Sequence, residues 1–449
     1  MTKDNLYLRF VRNILPSPFS IAVILTLITY LLALIFTQRP ENAGSAYGLV
    51  ILDYWEIGFW ELLEFTMQMA LVLILGHALA LTPFVNNIIT RFTHSCDTTA
   101  KAAFYISLLT ILVSFINWGL CLVFGAIFAR KVAERAKANG WKMNYPLLGA
   151  AGYSGMMCWH GGFSGSAPLT VANKDHFLIN EIGQIGIQET LFSPMNITVS
   201  IALIVIIPIV FYWLGAKNKN EEIHLSFHHK EGEKTLKSIG AEKIDASKWV
   251  ALSFGLIICF IAIRKIIMSP SETGLNFINL NYINFFLFGL AVLFHGSFTK
   301  FLSAIEEAIG GSAGIIIQFP LYAGIMGIMK YSGLGAIFSH GFVEISDATT
   351  LPIFTFLSAA IVNIFVPSGG GQWAVQGPII TEAAQNLGVS IPKSIMALSY
   401  GDQLTNMLQP FWALPLLGIT KLKAKDILPY SFLIMLVGLF IFIISLLIF

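Results

Sequence analysis

Asn363-Ile-Phe-Val-Pro-Ser-Gly-Gly-Gly-Gln-Trp373 and Ser399-Tyr-Gly-Asp-Gln-Leu-Thr-Asn-Met-Leu-Gln-Pro-Phe-Trp-Ala-Leu-Pro-Leu-Leu417 decide how this chain folds. Both stretches lie inside long apolar runs. Both carry glycine, proline and polar groups where a plain membrane helix would carry leucine. In hydrocarbon, unpaired backbone groups are tolerated only where they are buried in protein or line a cavity. Two interrupted helices here therefore predict a binding site at membrane depth.

The rest of the chain fits a bilayer. Of 449 residues, 56% are hydrophobic and 12% charged, with a mean hydropathy of +0.74. Soluble domains carry about 25% charged residues. A net charge of +2 gives no reason to expect a nucleic-acid partner. Cys96, Cys121, Cys158 and Cys259 are far apart, with neither metal-ligand spacing nor a disulfide pattern. Lys3, Arg9 and Arg12 precede the first apolar run, which no small-residue cleavage site follows, so that run reads as a retained helix.

A spanning helix needs about 20 apolar residues. Runs 19–36, 65–82, 196–214, 249–267, 282–298, 313–329 and 428–449 qualify singly. Runs 145–171 and 391–419 are overlong and broken in the middle. Runs 102–128 and 352–380 are decided by charge, because cytoplasmic loops are enriched in Lys and Arg. With the basic N-terminus inside, Arg91 and Lys101 also fall inside. Arg130, Lys131, Arg135 and Lys137 stay inside only if 102–128 dips into the membrane and returns, with its tip near Asn117. Lys421, Lys423 and Lys425 stay inside only if 352–380 is a second hairpin entering from outside. Arg264 and Lys265 violate the rule.

The expected fold is therefore an all-α polytopic membrane protein. It has about nine transmembrane helices, two opposed re-entrant hairpins and two unwound helices.

The chain also repeats. Asn117 to Tyr153 is 36 residues and Asn363 to Tyr400 is 37; Pro-Leu follows each tyrosine by 15 residues, at Pro168 and Pro415. Amphipathic segments around 60–65 and 300–308 correspond as well. The expected organisation is a first repeat over 1–215 and a cytoplasmic linker over 216–248. A connecting helix at 249–267 then inverts the second repeat, 268–449. The linker holds seven lysines and six acids and reads as a solvated connector; His224, His228 and His229 within it do not make a metal site.

Site residues follow from the interruptions. In the first broken helix, Gly162, Ser164, Gly165 and Ser166 let the backbone unwind and offer hydroxyls and freed carbonyls, the alternative being tight helix packing. Ser368, Gly369, Gly370 and Gly371, at the outer tip beyond Asn363, form a run of N–H groups opening a helix, which suits a carboxylate. No Lys or Arg lies between Lys330 and Lys393, so an anion there is held by dipoles and hydroxyls. Asn117 is the matching inner tip.

The second broken helix holds Asp402, Gln403, Thr405, Asn406 and Gln409. Asp402 is an acid well inside a membrane segment, where carboxylates are costly and usually functional. It binds a coupling proton, joins a cation site, or caps a half-helix. His77 and His295 read as packing residues, and His160 as the better candidate. No nucleophile–base pairing, phosphate loop or zinc motif is present, so no enzyme activity, metal or organic cofactor is expected.

Phe115-Ile-Asn-Trp-Gly119, Gly161-Gly-Phe-Ser-Gly-Ser166, Val366-Pro-Ser-Gly-Gly-Gly371 and Gln409-Pro-Phe-Trp-Ala-Leu-Pro415 are specific enough to compare with a family. The sequence closely resembles the bacterial short-chain fatty acid transporters over essentially its whole length. That family lies within a larger ion-transporter superfamily of elevator-type carriers. The resemblance implies import of butyrate- or acetoacetate-like monocarboxylates with H⁺ or Na⁺, a homodimer, and a multi-pass place in lipid in the bacterial inner membrane. His160 departs from the family pattern, where glycine is usual; Asp402 stands where the family carries an acid. A short apolar tail would suit Phe163, Trp373, Phe411 and Trp412. The alternatives are a carrier for a dicarboxylate or amino acid, and a channel.

Overall fold

Proline and a capping side chain open many of the helices. A computed structural model describes residues 17–38, 47–174, 176–217, 240–268, 280–310 and 312–449. Lys3, Arg9 and Arg12, and the linker histidines His224, His228 and His229, lie outside the described residues.

The first half contains α1 (Pro18–Phe36), α2 (Tyr47–Glu61), α3 (Leu63–Ala80), α4 (Pro83–Thr93), α5 (Thr99–Ser114), α6 (Trp118–Ala138), α7 (Tyr145–Tyr153), α8 (Ser166–Val171) and α9 (Pro194–Lys217). Next come α10 (Lys248–Met268), α11 (Leu280–His295) and α12 (Phe298–Ile309). The chain ends with α13 (Ala313–Tyr331), α14 (Leu334–Glu344), α15 (Leu351–Phe365), α16 (Gly369–Leu387), α17 (Ile391–Asn406), α18 (Pro410–Thr420) and α19 (Ala424–Ile448). Proline falls in the first turn of α1, α4, α7, α15, α17 and α18, where its missing N–H costs nothing. Thr82, Thr98, Asn144 and Ser390 accept hydrogen bonds from backbone N–H groups of the turns they precede.

The protein is an all-helical membrane protein. Among the described residues, six helical stretches are long and apolar enough to cross a bilayer: Pro18–Phe36, Tyr47–Ala80, Pro194–Lys217, Lys248–Met268, Ala313–Tyr331 and Ala424–Ile448. They cover six of the seven single runs read from the sequence; the seventh becomes α11, a helix of 16 residues. Their outward faces are apolar, as lipid contact requires: Leu27, Ile35, Phe260, Ile267 and Phe440 are all exposed.

Element order repeats across the two halves. A long helix, a short one, a helix pair, a broken pair and a closing long helix run from α3 to α9, and again from α13 to α19. One expectation is corrected here. The segment around 60–65 is not a separate amphipathic surface helix. It is the seam at Leu62 where α2 runs into α3, and α2 packs closely on α13: a methyl on Gly58 would lie 2.6 Å from Ala323 O and from Gly327 Cα. Segment 300–308 does form an amphipathic helix, α12, with Phe301, Ala304 and Ala308 buried and Lys300, Glu306 and Glu307 exposed.

Backbones meet where the broken pairs dock. A methyl on Gly125 of α6 would lie 2.1 Å from Gly152 O of α7, and one on Gly401 of α17 would lie 2.2 Å from Phe356 O of α15. Each contact seats one arm of a helix pair against the broken helix of the same half.

Candidate functional site

Four breaks in helical structure meet at one place. The first is the turn between α5 and α6, where Asn117 Oδ1 accepts from Leu120 N at 3.0 Å and so caps α6. The second is the unwound stretch after α7, which passes through two 3-10 turns, Ser154–Met157 and Trp159–Gly161, before α8 begins at Ser166. The third is the turn between α15 and α16, where Ser368 Oγ accepts from Gly371 N at 3.2 Å. The fourth is the break between α17 and α18 at residues 407–409.

Each turn is tied to the broken helix of its own half. Phe163 N donates to Phe115 O at 2.8 Å, and Trp118 N donates to Ser164 Oγ at 3.1 Å. A methyl on Gly162 would lie 2.5 Å from Phe115 O, so only glycine lets these strands of backbone touch. On the other side, Asn363 Nδ2 reaches Asp402 O at 2.7 Å, Thr405 Oγ1 at 3.0 Å and Asn406 Oδ1 at 2.7 Å. Its two hydrogens are shared among the three acceptors. Gln409 Nε2 donates to Asn363 O, and Thr405 Oγ1 to Ala360 O at 2.9 Å.

The halves are then joined to one another. His160 N donates to Gln403 Oε1 at 3.0 Å. His160 Nε2 lies 3.1 Å from Asp402 Oδ1, with both side chains fully buried. That contact is off the line of a good hydrogen bond, so Nε2 is not a donor already spent. Ser166 N donates to His160 Nδ1 at 3.2 Å. Gly369, the first residue of α16, sits against the same histidine: a methyl there would lie 2.7 Å from His160 Cε1 and 2.7 Å from Ser166 Oγ. Tyr153 Oη donates to Asn406 O at 2.6 Å and lies 3.2 Å from Gln409 O. Tyr400 Oη donates to Asn196 Oδ1 at 3.0 Å, and Asn196 Nδ2 donates to Gly161 O at 3.0 Å.

The sequence-selected residues thus fall into one region. Gly162, Ser164, Gly165 and Ser166 line the first break; Asn363, Ser368, Gly369, Gly370 and Gly371 form the second turn; Asp402, Gln403, Thr405, Asn406 and Gln409 lead into the last break. A methyl on Gly165 would lie 2.3 Å from His160 O, which fixes glycine there for close backbone approach. Asn117 is farther from the histidine in its bonding: its carbonyl is committed to the α6 cap. Asp402 lies inside α17 rather than at its start, so it does not cap a half-helix. Its Oδ1 takes Asn406 Nδ2 at 3.4 Å, while Oδ2 takes no hydrogen bond among the described residues. Asn363 Oδ1 and Gln409 Oε1 are likewise buried without donors.

An aromatic cluster lies beside this region. Trp118 and Trp412 have ring centroids 4.8 Å apart, and Trp159 lies 6.0 Å from Trp412 while its ring sits tilted against His160 at 3.7 Å. Phe411 joins through Phe319 at 3.9 Å. Phe163 pairs instead with Phe192, and Trp373 with Phe177. Sequence reasoning underweighted His160 and passed over Asn196, Tyr153 and Tyr400. The available signal was a lone histidine in one unwound stretch matched by a lone acid in the other. His295 behaves as a packing residue, with Nε2 2.9 Å from Ala78 O.

The chain resembles several known proteins. A family model described as short chain fatty acid transporter matches residues 3–449. A protein of Escherichia coli (strain K12), provisionally named a short-chain fatty acid transporter, is 37% identical over 446 residues, 98% of each chain. One of the same provisional name from Haemophilus influenzae (strain ATCC 51907 / DSM 11121 / KW20 / Rd) is 36% identical over 433 residues, covering 94% of this chain and 93% of its own. Among solved structures, Neisseria gonorrhoeae MtrF, of a class of antimetabolite efflux pumps, aligns at 17% identity and a TM-score of 0.41 over 98% of this chain and 97% of its own. The Alcanivorax borkumensis YdaH transporter aligns at 14% identity and a TM-score of 0.40 over 95% and 97%.

Proposed function

The chain belongs to the short chain fatty acid transporter family, and on that premise we propose that it is a secondary active carrier importing short-chain monocarboxylates of the butyrate or acetoacetate kind, coupled to H⁺ or Na⁺. The observation that carries the proposal is the meeting of four helix breaks around His160, Asp402 and Gly369. A carboxylate fits at the start of α16, where the Gly369 and Gly370 N–H groups carry the partial positive charge of a 19-residue helix, the Gly371 N–H being taken by Ser368 Oγ. Ser164 and Ser166 supply hydroxyls beside it, and the Trp118–Trp159–Trp412 cluster offers an apolar wall for a short tail. Among the described residues no Lys or Arg is fully buried, which favours one carboxylate over two.

The re-entrant reading gains support from helix lengths. At about 1.5 Å per residue, α5 with 16 residues and α15 with 15 reach about 24 and 22 Å, short of a hydrocarbon core of about 30 Å. The apolar part of α6 stops at Arg130 and Lys131, which pair with Glu134 at 2.9 Å each. We take the two pairs as hairpins entering from opposite faces. The broken helices then form part of a moving unit that shuttles the site across the membrane, in a homodimer of the inner membrane with its N-terminus inside.

Proteoliposomes test this. Labelled acetoacetate or butyrate should accumulate above protein-free vesicles when an H⁺ or a Na⁺ gradient is imposed, each separately. No accumulation with any C2–C6 acid removes the reading.

A further inference from the structure

The buried pair at the centre of the site has a definite hydrogen-bond geometry. His160 Nδ1 accepts a hydrogen bond from Ser166 N, so that nitrogen carries no proton. The ring is then neutral, with its hydrogen on Nε2 facing Asp402 Oδ1 at 3.1 Å. Turning the ring over would put carbon in both contacts, so the two contacts fix its orientation together. A neutral imidazole beside an ionised carboxylate leaves one net negative charge fully buried at membrane depth, a costly arrangement. A proton on Asp402 Oδ2, which receives no hydrogen bond, removes that charge without breaking any contact. A proton on His160 Nδ1 would expel Ser166 N. A metal cation is disfavoured at Asp402 because its near neighbours, His160 Nε2–H and Asn406 Nδ2, present hydrogens to it.

We infer that the His160–Asp402 pair is the coupling-proton site, with the proton held on Asp402 Oδ2 and His160 as its positioning partner. This rests on the carrier reading above. Coupling follows from charge. Gly369 abuts His160 and Ser166, so a carboxylate at the start of α16 lies close to Asp402. Two negative charges held in one buried site repel, so a bound carboxylate and a proton on the pair favour one another. The substrate draws the proton in, and by reciprocity the proton tightens the substrate by the same factor. The loaded site carries one negative charge instead of two.

Few other ionisable groups surround the pair. Among the described residues, those in the elements around it are Tyr153 and Cys158 on the first unwound stretch and its approach, Cys121 on α6, Tyr322 on α13, Tyr400 on α17, and Tyr430, which accepts from Asn144 Nδ2, toward the start of α19. Tyr153 and Tyr400 are committed to Asn406 O and Asn196 Oδ1. Glu382 on α16 and Lys393 on α17 sit toward the far ends of their helices, Lys393 nine residues from Asp402, about 13 Å along the axis. α15 carries no titratable side chain.

The test is proton uptake by purified protein in weakly buffered detergent, read with a pH indicator as acetoacetate is added and its binding measured in parallel. The expected result is about one proton per carboxylate bound, falling to none in Asp402→Asn. His160→Ala should lower the number of protons taken up per acetoacetate bound, and His160→Gln, which keeps a donor at that place, should restore it. A structural role alone would lower binding without changing that ratio. Binding without proton uptake in the parent, or the same ratio in Asp402→Asn, overturns the inference while leaving the carrier reading intact. Accumulation driven by Na⁺ but not H⁺ overturns it too. Absence of any acetoacetate transport overturns both, and is told apart by that.

Discussion

At the residue scale, the site is set by what cannot be larger. Gly369 meets His160 and Ser166 at a distance that admits no methyl, whereas Gly370 has nothing within 4 Å of where its own methyl would be. Gly369→Ala must push the tip of α16 away from the histidine, and with it the N–H groups proposed to hold a carboxylate. The expected effect is an increase of about tenfold or more in KM for acetoacetate, with Gly370→Ala costing far less. Equal effects at both positions would show that chain flexibility, not close approach, is what the glycines provide. Much of this site was legible beforehand, because glycine, serine and an acid in apolar runs have few structural uses at membrane depth. His160 was legible as the better candidate among the histidines and as a departure from the family pattern, but not as half of a pair. Its meaning depends on Asp402, 242 residues away in sequence, and no local pattern encodes that contact. The tyrosine clasps were hidden for the same reason: a buried tyrosine looks like core until its hydroxyl's partner is known.

At the element scale, the helix pairs and broken helices stay together through backbone contacts that single methyl groups would spoil. Gly125 and Gly152 bring α6 and α7 within touching distance; a methyl on either falls under 3 Å from the other's carbonyl. Gly152→Ala should cost about 1–3 kcal/mol through overpacking, seen as a lower melting temperature of the detergent-solubilised protein, with uptake falling in step as folded protein is lost. A drop in uptake with unchanged melting would point instead to a moving contact. Element boundaries were readable where a cap marks them, with a proline before it at Ser368 and alone at Asn117. The seam at Leu62 was not, because α2 carries Asp53, Glu56 and Glu61 and so fails a test for apolar length, although its packing on α13 makes it part of a 34-residue helical stretch. Hydropathy counts charges along a helix without knowing what that helix packs against.

At the scale of the whole molecule, the claim that matters is that α5–α6 and α15–α16 each enter and leave by one face of the membrane, and that the faces differ. Length favours it, since neither α5 nor α15 spans the hydrocarbon unaided. Charge favours it, since Arg130 and Lys131 would otherwise be carried across with α6. Four exposed positions at the outer ends of the pairs decide it: Asp97 and Asn139 for the first, Thr349 and Asn386 for the second. Each is changed singly to cysteine, in a protein whose four native cysteines are all buried, and labelled with a membrane-impermeant maleimide in right-side-out and inverted vesicles. Two hairpins predict that Asp97→Cys and Asn139→Cys both react only from the inner side, and that Thr349→Cys and Asn386→Cys both react only from the outer side. If α5–α6 crossed outright, its two ends would react from opposite sides. The Gly369 tip and the Asn117 tip would then no longer approach one another from opposing faces, and a site shuttled between those faces would lose its geometric basis.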